Sequence, residues 1–326
     1  MMRAMRIRIV CPAPRGTLFG NRISALRWAR ILRELGHRVA IETEYDGADC
    51  DLLIALHAKR SAEAVVSFNK RHPDKPVIVA LTGTDLYRDI QHSRKAQRAL
   101  EIATRLVVLQ PLARQELAPH LRGKVRVIYQ SVEKTPGNNV RSDAVFQVCV
   151  VGHLRSIKDP FRAALAARKM PAASRIQIVH AGAAMDEHMA RRARAEERRN
   201  PRYRWLGEIQ RSEVRRLIAS SHLLVLSSKM EGGANVISEA IVDGTPVLAS
   251  RIPGSVGLLG GDYPGLFSLG DTDALRSLLL RAETDRSFYR ELQSRCKRLA
   301  PLFKPAWELA AWRALMKEIA VSHASA

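Results

Sequence analysis

Two carboxylates, Glu231 and Glu239, frame a glycine pair in the segment 231–250, EGGANVISEAIVDGTPVLAS. The segment follows an apolar run, LLVLSS at 223–228, that reads as a buried strand. Gly232 and Gly233 allow close approach to a ligand and positive φ. Asn235 opens a helix whose N–H groups and dipole favour a phosphate. Glu239 lies one turn later on the same face, within reach of a ribose bound ahead of the helix. A carboxylate suits vicinal hydroxyls because it accepts two hydrogen bonds. Glu231 precedes the helix and can point into a cleft. The plainer alternative is a glycine turn before a helix with an exposed Glu. The whole string after a buried strand favours a phosphate site.

A second string, VVGHLRSIKDP at 150–160, ends another predicted strand. Arg155 and Lys158 there can stabilise negative charge on a leaving diphosphate, work that other nucleotide-dependent enzymes give to a metal. No metal or other cofactor is expected. A third string, PAPRGTLFGNR at 12–22, sets Gly16 and Gly20 in a loop ahead of a helix. A fourth, LTGTDLY at 81–87, ends a further strand, and His57 ends an earlier one in LLIALHAKRS. A lone histidine in such a place is more often structural than catalytic.

These loops need a scaffold that brings strand ends to one edge. Short β-branched runs alternate with amphipathic stretches, the pattern of parallel α/β units. Strands are predicted at 6–11, 38–42, 51–56, 77–81, 105–109 and 125–129. A helix over 21–35 is closed by a left-handed Gly36. Residues 133–143, EKTPGNNVRSD, lack periodicity and read as a linker. Strands resume at 145–151, 175–180, 223–226 and 246–250, and beyond Asp271 the chain reads as almost all helix. The fold class is therefore α/β, with two Rossmann-like domains facing a cleft and ligands beyond the carboxyl ends of the strands.

Composition narrows the partners. The 326 residues are 46% hydrophobic, enough for two cores, and no apolar run is long enough to span a bilayer. The first eleven residues read as a strand rather than a signal peptide. A net charge of +21 attracts anions in general. Aromatics are only 5% and no nucleic-acid reader motif is present, so nucleic acid is not an expected partner. The densest basic run, 191–204, reads as the solvated face of a helix and its following turn. Cys11, Cys50, Cys149 and Cys296 form no CxxC pair, which fits buried thiols in a reducing cytoplasm.

The 231–250 string resembles the signature of family 4 glycosyltransferases, retaining enzymes of GT-B fold. The resemblance implies that Glu231 contacts the donor sugar and Glu239 the ribose, and that amides of Gly232, Gly233, Ala234 and Asn235 meet the diphosphate. Gly233 and Ala234 stand where that family usually has an aromatic and a glycine. The 150–160 string resembles the family's Gly-Arg-Leu…Lys motif, with His153 replacing the arginine. Gly207, Glu208 and Ile209 fall at the base-binding backbone. The acceptor side is implied to take the loop with Arg15, Gly16, Gly20, Asn21 and Arg22, and the strand ends with His57, Lys59, Thr82, Gly83, Thr84 and Asp85. Thr82 stands where the family often has a histidine. The implied domains are 1–135 for the acceptor, 136–303 for the donor, and a helix at 304–326 crossing back to the first.

A narrower resemblance joins GNRISALRWARILRELGH, ALTGTDLYRDI, VVLQPLA, VIYQSV and GHLRSIKDP to the selenosugar synthases of selenoneine biosynthesis. It implies a UDP-sugar donor, UDP-N-acetylglucosamine, and selenophosphate as nucleophile. An ionised nucleophile needs cations and amides rather than a base, and Arg15, Arg22, Lys59, Arg60 and Arg88 flank the relevant strand ends. The alternative is a lipid or polysaccharide acceptor at a membrane surface, with Trp28 and four arginines of 21–35 as the anchoring helix.

Overall fold

The computed structural model describes residues 4–16, 20–137 and 139–324. The chain divides into two compact units, Met1–Gln130 with Pro305–Ala326, and Ser131–Lys304.

The first unit is a six-stranded parallel sheet of β1 (Arg6–Val10), β2 (Arg38–Glu42), β3 (Leu52–Leu56), β4 (Val77–Leu81), β5 (Arg105–Val108) and β6 (Val125–Val127). Its order is β2-β1-β3-β4-β5-β6. β3 (LLIAL) and β4 (VIVAL) are buried along their whole length, as central strands covered on both faces must be. The helix Gly20–Glu34 ends as expected. Gly36 has φ +91°, its N–H donates to Arg33 O at 2.9 Å, and the His37 N–H donates to Leu32 O at 3.0 Å. Trp28 of this helix is fully buried and packs against Trp312 of the C-terminal helix Pro305–Ala324, ring centroids 5.2 Å apart. The buried Glu308 accepts the Trp28 indole N–H at 2.8 Å and lies 3.1 Å from Arg27. Trp28 is therefore a core residue and not the exposed aromatic that a membrane anchor requires.

The second unit holds β7 (Phe146–Val151), β8 (Ile176–Ala181), β9 (Tyr203–Trp205), β10 (Leu223–Leu226), β11 (Val247–Ser250) and β12 (Leu266–Phe267). Its order is β12-β11-β10-β7-β8-β9, all parallel. The strand order reverses between β7 and β10, and the crevice at such a reversal is where open α/β sheets bind ligands. Among its described residues the linker carries no regular element, and it is strapped to this unit. Thr135 donates through N–H and hydroxyl to Asp243, at 2.7 and 2.6 Å. Beyond Asp271 the chain is helical, as expected. Among the described residues no helix is long and apolar enough to cross a membrane.

The basic run 191–204 presents its arginines to solvent as expected, with Arg191, Arg192, Arg194, Arg198, Arg199 and Arg204 exposed, but the Glu196 within it is buried. The run covers the end of the helix Glu187–Arg199 and then β9, and Glu196 is 1% exposed. Burial raises the pKa of this carboxyl, but donors from Arg168, Arg199 and Asn200 outweigh it and hold the pKa at about 2. A depressed pKa contributes stability above the unfolded value of 4.5 and loses it as pH falls toward about 2. Glu196→Gln should therefore lower the melting temperature by several degrees at neutral pH. The gap to wild type should close between about pH 4.5 and 2 in thermal melts. A gap that persists at pH 2 would place the effect in packing rather than charge.

Candidate functional site

In the second unit the carboxyl ends of β7 and β10 open into a small pocket lined by Gly152, Lys158, His180, Val225, Ser227 and Ser228 among others. After β7 the chain turns through the short 3-10 helix Ser156–Lys158 and leaves it with Asp159 in left-handed conformation, φ +44°. The Lys229 N–H donates to Ile157 O at 2.8 Å and the Ser227 hydroxyl to Asp159 O at 2.8 Å. These bonds stitch the turn to the residues after β10. Lys158 thereby reaches Glu231, and the two form an ion pair with side chains 32% and 11% exposed. Ser228, fully buried, donates to the same Glu231 oxygen at 2.6 Å. Lys158 carries an ion pair to Glu231, and Arg155 sits half-buried just ahead of the turn. Glu231 is thus held by an ammonium and a hydroxyl at the strand-order reversal, a carboxylate poised beside a cation in a cleft.

The glycine turn is built differently from the expectation. Neither Gly232 nor Gly233 has positive φ. A close approach to the turn does require a glycine at Gly254, in the helix Pro253–Leu259. A Cβ there would stand 1.9 Å from the Glu231 carbonyl oxygen. The helix Asn235–Asp243 begins where expected and ends at Gly244 with φ +75°. Ala234 stands at its N-cap without a side-chain cap, a position where Ser, Thr, Asp or Asn stabilises by about 1 kcal/mol. Glu239 lies on this helix, 1% exposed, and accepts from Arg211 at 2.7 Å. Arg211 begins the helix Arg211–Ser220, whose capping box of Gln210 and Glu213 fixes its start.

Gly152 and His153 follow β7. A Cβ at Gly182 would meet Gly152 O at 2.1 Å, so the ends of β7 and β8 touch backbone to backbone. His180, fully buried, underlies this contact. Its Nε2 is 3.0 Å from Gly152 O and its Nδ1 is 3.2 Å from the Tyr203 hydroxyl. A carbonyl only accepts, so Nε2 carries the proton and Nδ1 takes the Tyr203 O–H. Burial, against the hydrogen bond to Gly152, lowers the His180 pKa to about 4 and keeps the ring neutral. His153 is held neutral by burial together with Arg155 and Lys158, against Glu208. Its Nδ1 accepts the Ala183 N–H at 3.2 Å, so its own proton sits on Nε2. Gly207, φ +68°, accepts the Gly182 N–H at 2.7 Å, and exposed Glu208 and half-buried Ile209 follow it.

In the first unit the ends of β3 and β4 come together. His57 is 4% exposed, and its Nε2 lies 3.3 Å from Thr84 Oγ1. Asp85 departs from a ligand-facing role. It is fully buried and its carboxylate accepts N–H groups of Ala58, Thr82 and Gly83 at 3.0, 3.1 and 2.8 Å, so it shapes the loop from within. Thr82, Gly83 and Thr84 are half-buried, and Lys59, Arg60 and Arg88 are exposed. Arg15 and Gly16, φ +79°, are exposed in the loop after β1; Gly20 and Asn21 open the following helix, and residues 17–19 of that loop lie outside the described residues. Arg22 is half-buried, with its Nη1 buried and unpartnered.

Sequence reasoning missed Ser228, Arg211, His180, Tyr203 and Gly254. Ser228 alone had a local signal, since it closes the LLVLSS run; the others act across 20 or more residues.

Residues 132–301 match the family model described as glycosyl transferases group 1. The chain is 24% identical over 318 residues to glycosyltransferase 1 domain-containing protein 1 of Xenopus tropicalis, covering 89% of this chain and 91% of that one. Sucrose-phosphate synthase from Thermosynechococcus elongatus superposes with a TM-score of 0.80 at 16% identity, over 98% of this chain and 100% of its own. Anabaena HepE, solved with UDP and glucose, gives 0.76 at 16% identity, over 96% and 100%. At these identities the structures show the fold, GT-B, with two parallel Rossmann-like sheets and C-terminal helices.

Proposed function

Since this chain belongs to the group 1 glycosyl transferases, we propose that it moves a sugar from UDP-N-acetylglucosamine to selenophosphate. Selenium attacks the anomeric carbon and forms the C–Se bond while the C–O bond to UDP breaks. Water then cleaves the Se–P bond, leaving phosphate and a 1-selenosugar for selenoneine biosynthesis. The observation that carries the donor half is the Lys158–Glu231–Ser228 cluster at the reversal of strand order. In this reading a donor diphosphate stands in for the missing cap of the helix Asn235–Asp243 and lies against Lys158. Glu239, oriented by Arg211, takes the ribose. UDP as the nucleotide is supported by HepE, solved with UDP-glucose. The acceptor half rests on the five strings that resemble those of selenosugar synthases, four of which lie wholly or mainly in the first unit. The membrane-acceptor reading loses its anchor with Trp28 in the core. A reducing, cytoplasmic setting belongs to the same proposal, with all four cysteines buried and unpaired.

Purified protein given UDP-N-acetylglucosamine and selenophosphate should release UDP without added metal. No release above controls, with turnover of a lipid acceptor instead, would falsify the selenium reading and leave the family intact. Glu239→Ala should weaken UDP binding about tenfold, the loss of one charged hydrogen bond. Unchanged affinity by calorimetry removes the ribose role.

A further inference from the structure

His57 ends β3 with φ +73°. Left-handed backbone at a residue other than glycine costs on the order of 1 kcal/mol. The ring is nearly buried, and its Nδ1 accepts the Arg60 N–H at 3.4 Å. The neutral ring therefore carries its proton on Nε2, the atom 3.3 Å from Thr84 Oγ1. Burial and Arg60 lower the pKa, against Asp85 and Asp89, so the ring is neutral near pH 7. Asp89 Oδ2 is 3.8 Å from Nε2, outside hydrogen-bond range, and the Asp89 carboxylate lies 3.5 Å from Lys59 and 3.3 Å from Arg88. Asp85 holds the frame by binding amides from both strand ends. Thr84 then leads into a π-helical turn, Asp85–Asp89, a geometry frequent at functional sites. Strained backbone, a buried donor and a rare turn thus converge on one half-buried hydroxyl.

We propose that His57 is a positioning residue: by donating Nε2–H to Thr84 Oγ1, it turns the Thr84 proton outward to an oxyanion acceptor at the rim formed by Lys59 and Arg60. The hydroxyl oxygen is occupied as an acceptor, so its hydrogen is left to donate. A site arranged this way favours a nucleophile that arrives already ionised and carries a tetrahedral oxyanion. The inference rests on the phosphate-bearing acceptor proposed above.

The test compares Thr84→Ser, Thr84→Val, His57→Asn and the His57→Asn/Thr84→Val double variant. Asn tolerates positive φ but is too short to reach Thr84. Thr84→Ser should stay within about twofold of wild type. Thr84→Val and His57→Asn should each raise the selenophosphate KM about tenfold, with the UDP-sugar KM and melting temperature unchanged. The double variant should be no worse than either single, because both break one hydrogen-bonded chain. Multiplying effects in the double variant, or a rise in donor KM instead, overturns the proposal. Thr84→Val and Thr84→Ser still decide it if His57→Asn does not fold. If wild type turns over no selenophosphate, the functional reading fails on its own. The same proteins titrated with orthophosphate in the presence of UDP then decide the role of His57. About tenfold weaker phosphate binding in both single variants supports it. Equal affinity, or no phosphate binding to wild type, overturns it.

Discussion

Replacing Lys158 by Met should lower kcat by roughly 10²–10³ while shifting the melting temperature by only a few degrees. Two effects compete. The Lys158–Glu231 pair is a structural contact, and the Lys158 side chain is 32% exposed. Pairs with such access to water contribute at most about 1 kcal/mol, or about 2–4 °C in a domain of this size. Met preserves the apolar stem and most of the length of the side chain, and Glu231 keeps the Ser228 hydroxyl at 2.6 Å. The catalytic effect is larger because a cation placed where charge develops in a cleft is worth several kcal/mol in the transition state. The sign on binding also follows. Without Lys158 the Glu231 carboxylate repels a diphosphate, so UDP affinity falls as well. Arg155→Met provides the contrast. Its loss leaves the Lys158–Glu231 pair in place. Steady-state kcat and UDP affinity for both variants decide between them. A large loss in Arg155→Met with near-normal Lys158→Met would transfer the charge-stabilising role to Arg155.

The parts of this molecule visible in sequence are those set by local pattern. LLIAL, VIVAL and LLVL read as strands because parallel strands covered on both faces need no polar alternation. Gly36 read as a helix stop because a left-handed residue there satisfies two carbonyls of the last turn. β9 and β12, with three and two residues, are too short to leave a pattern, and β9 alternates a buried Tyr203 with an exposed Arg204. The site divides the same way. Lys158 and Glu231 were visible as chemistry, but their pairing spans 73 positions and depends on the stitched turn between β7 and β10. Glu196 looked solvated among arginines because its main donor, Arg168, lies 28 residues away. Asp85 looked like a ligand because its string resembles a family motif, yet the backbone amides around it consume its carboxylate. Gly232 and Gly233 drew attention as a pair, and the steric demand at Gly254 went unseen because sequence presents it as an ordinary Pro-Gly-Ser helix start.

Gly254→Ala sets two physical expectations against each other. Gly254 lies inside the helix Pro253–Leu259 without positive φ, so helix propensity alone favours Ala by about 1 kcal/mol. The contact argues the reverse. The added Cβ would stand 1.9 Å from Glu231 O and 3.1 Å from Glu231 Cβ. The first of these is backbone, which no rotamer change can move aside. The segment carrying Glu231 must shift by roughly 1 Å, and such a displacement at reacting groups costs about 10² in rate. It has little freedom to do so. Ser250 donates to Ser228 O at 2.5 Å, and the Lys229 amide is tied to Ile157 O at 2.8 Å. The contact should therefore win, with kcat/KM down about 100-fold and stability lower by about 1–3 kcal/mol. Gly261→Ala is the matched control. Its Cβ would meet only Val256 Cγ1 at 3.9 Å, and the position is exposed, so activity and melting temperature should hold. If Gly254→Ala retains activity and melts higher, helix propensity outweighs the contact and Glu231 is not held by this approach. If activity falls with no loss of stability, the segment has moved without strain, and the rate alone reports how closely Glu231 must be placed.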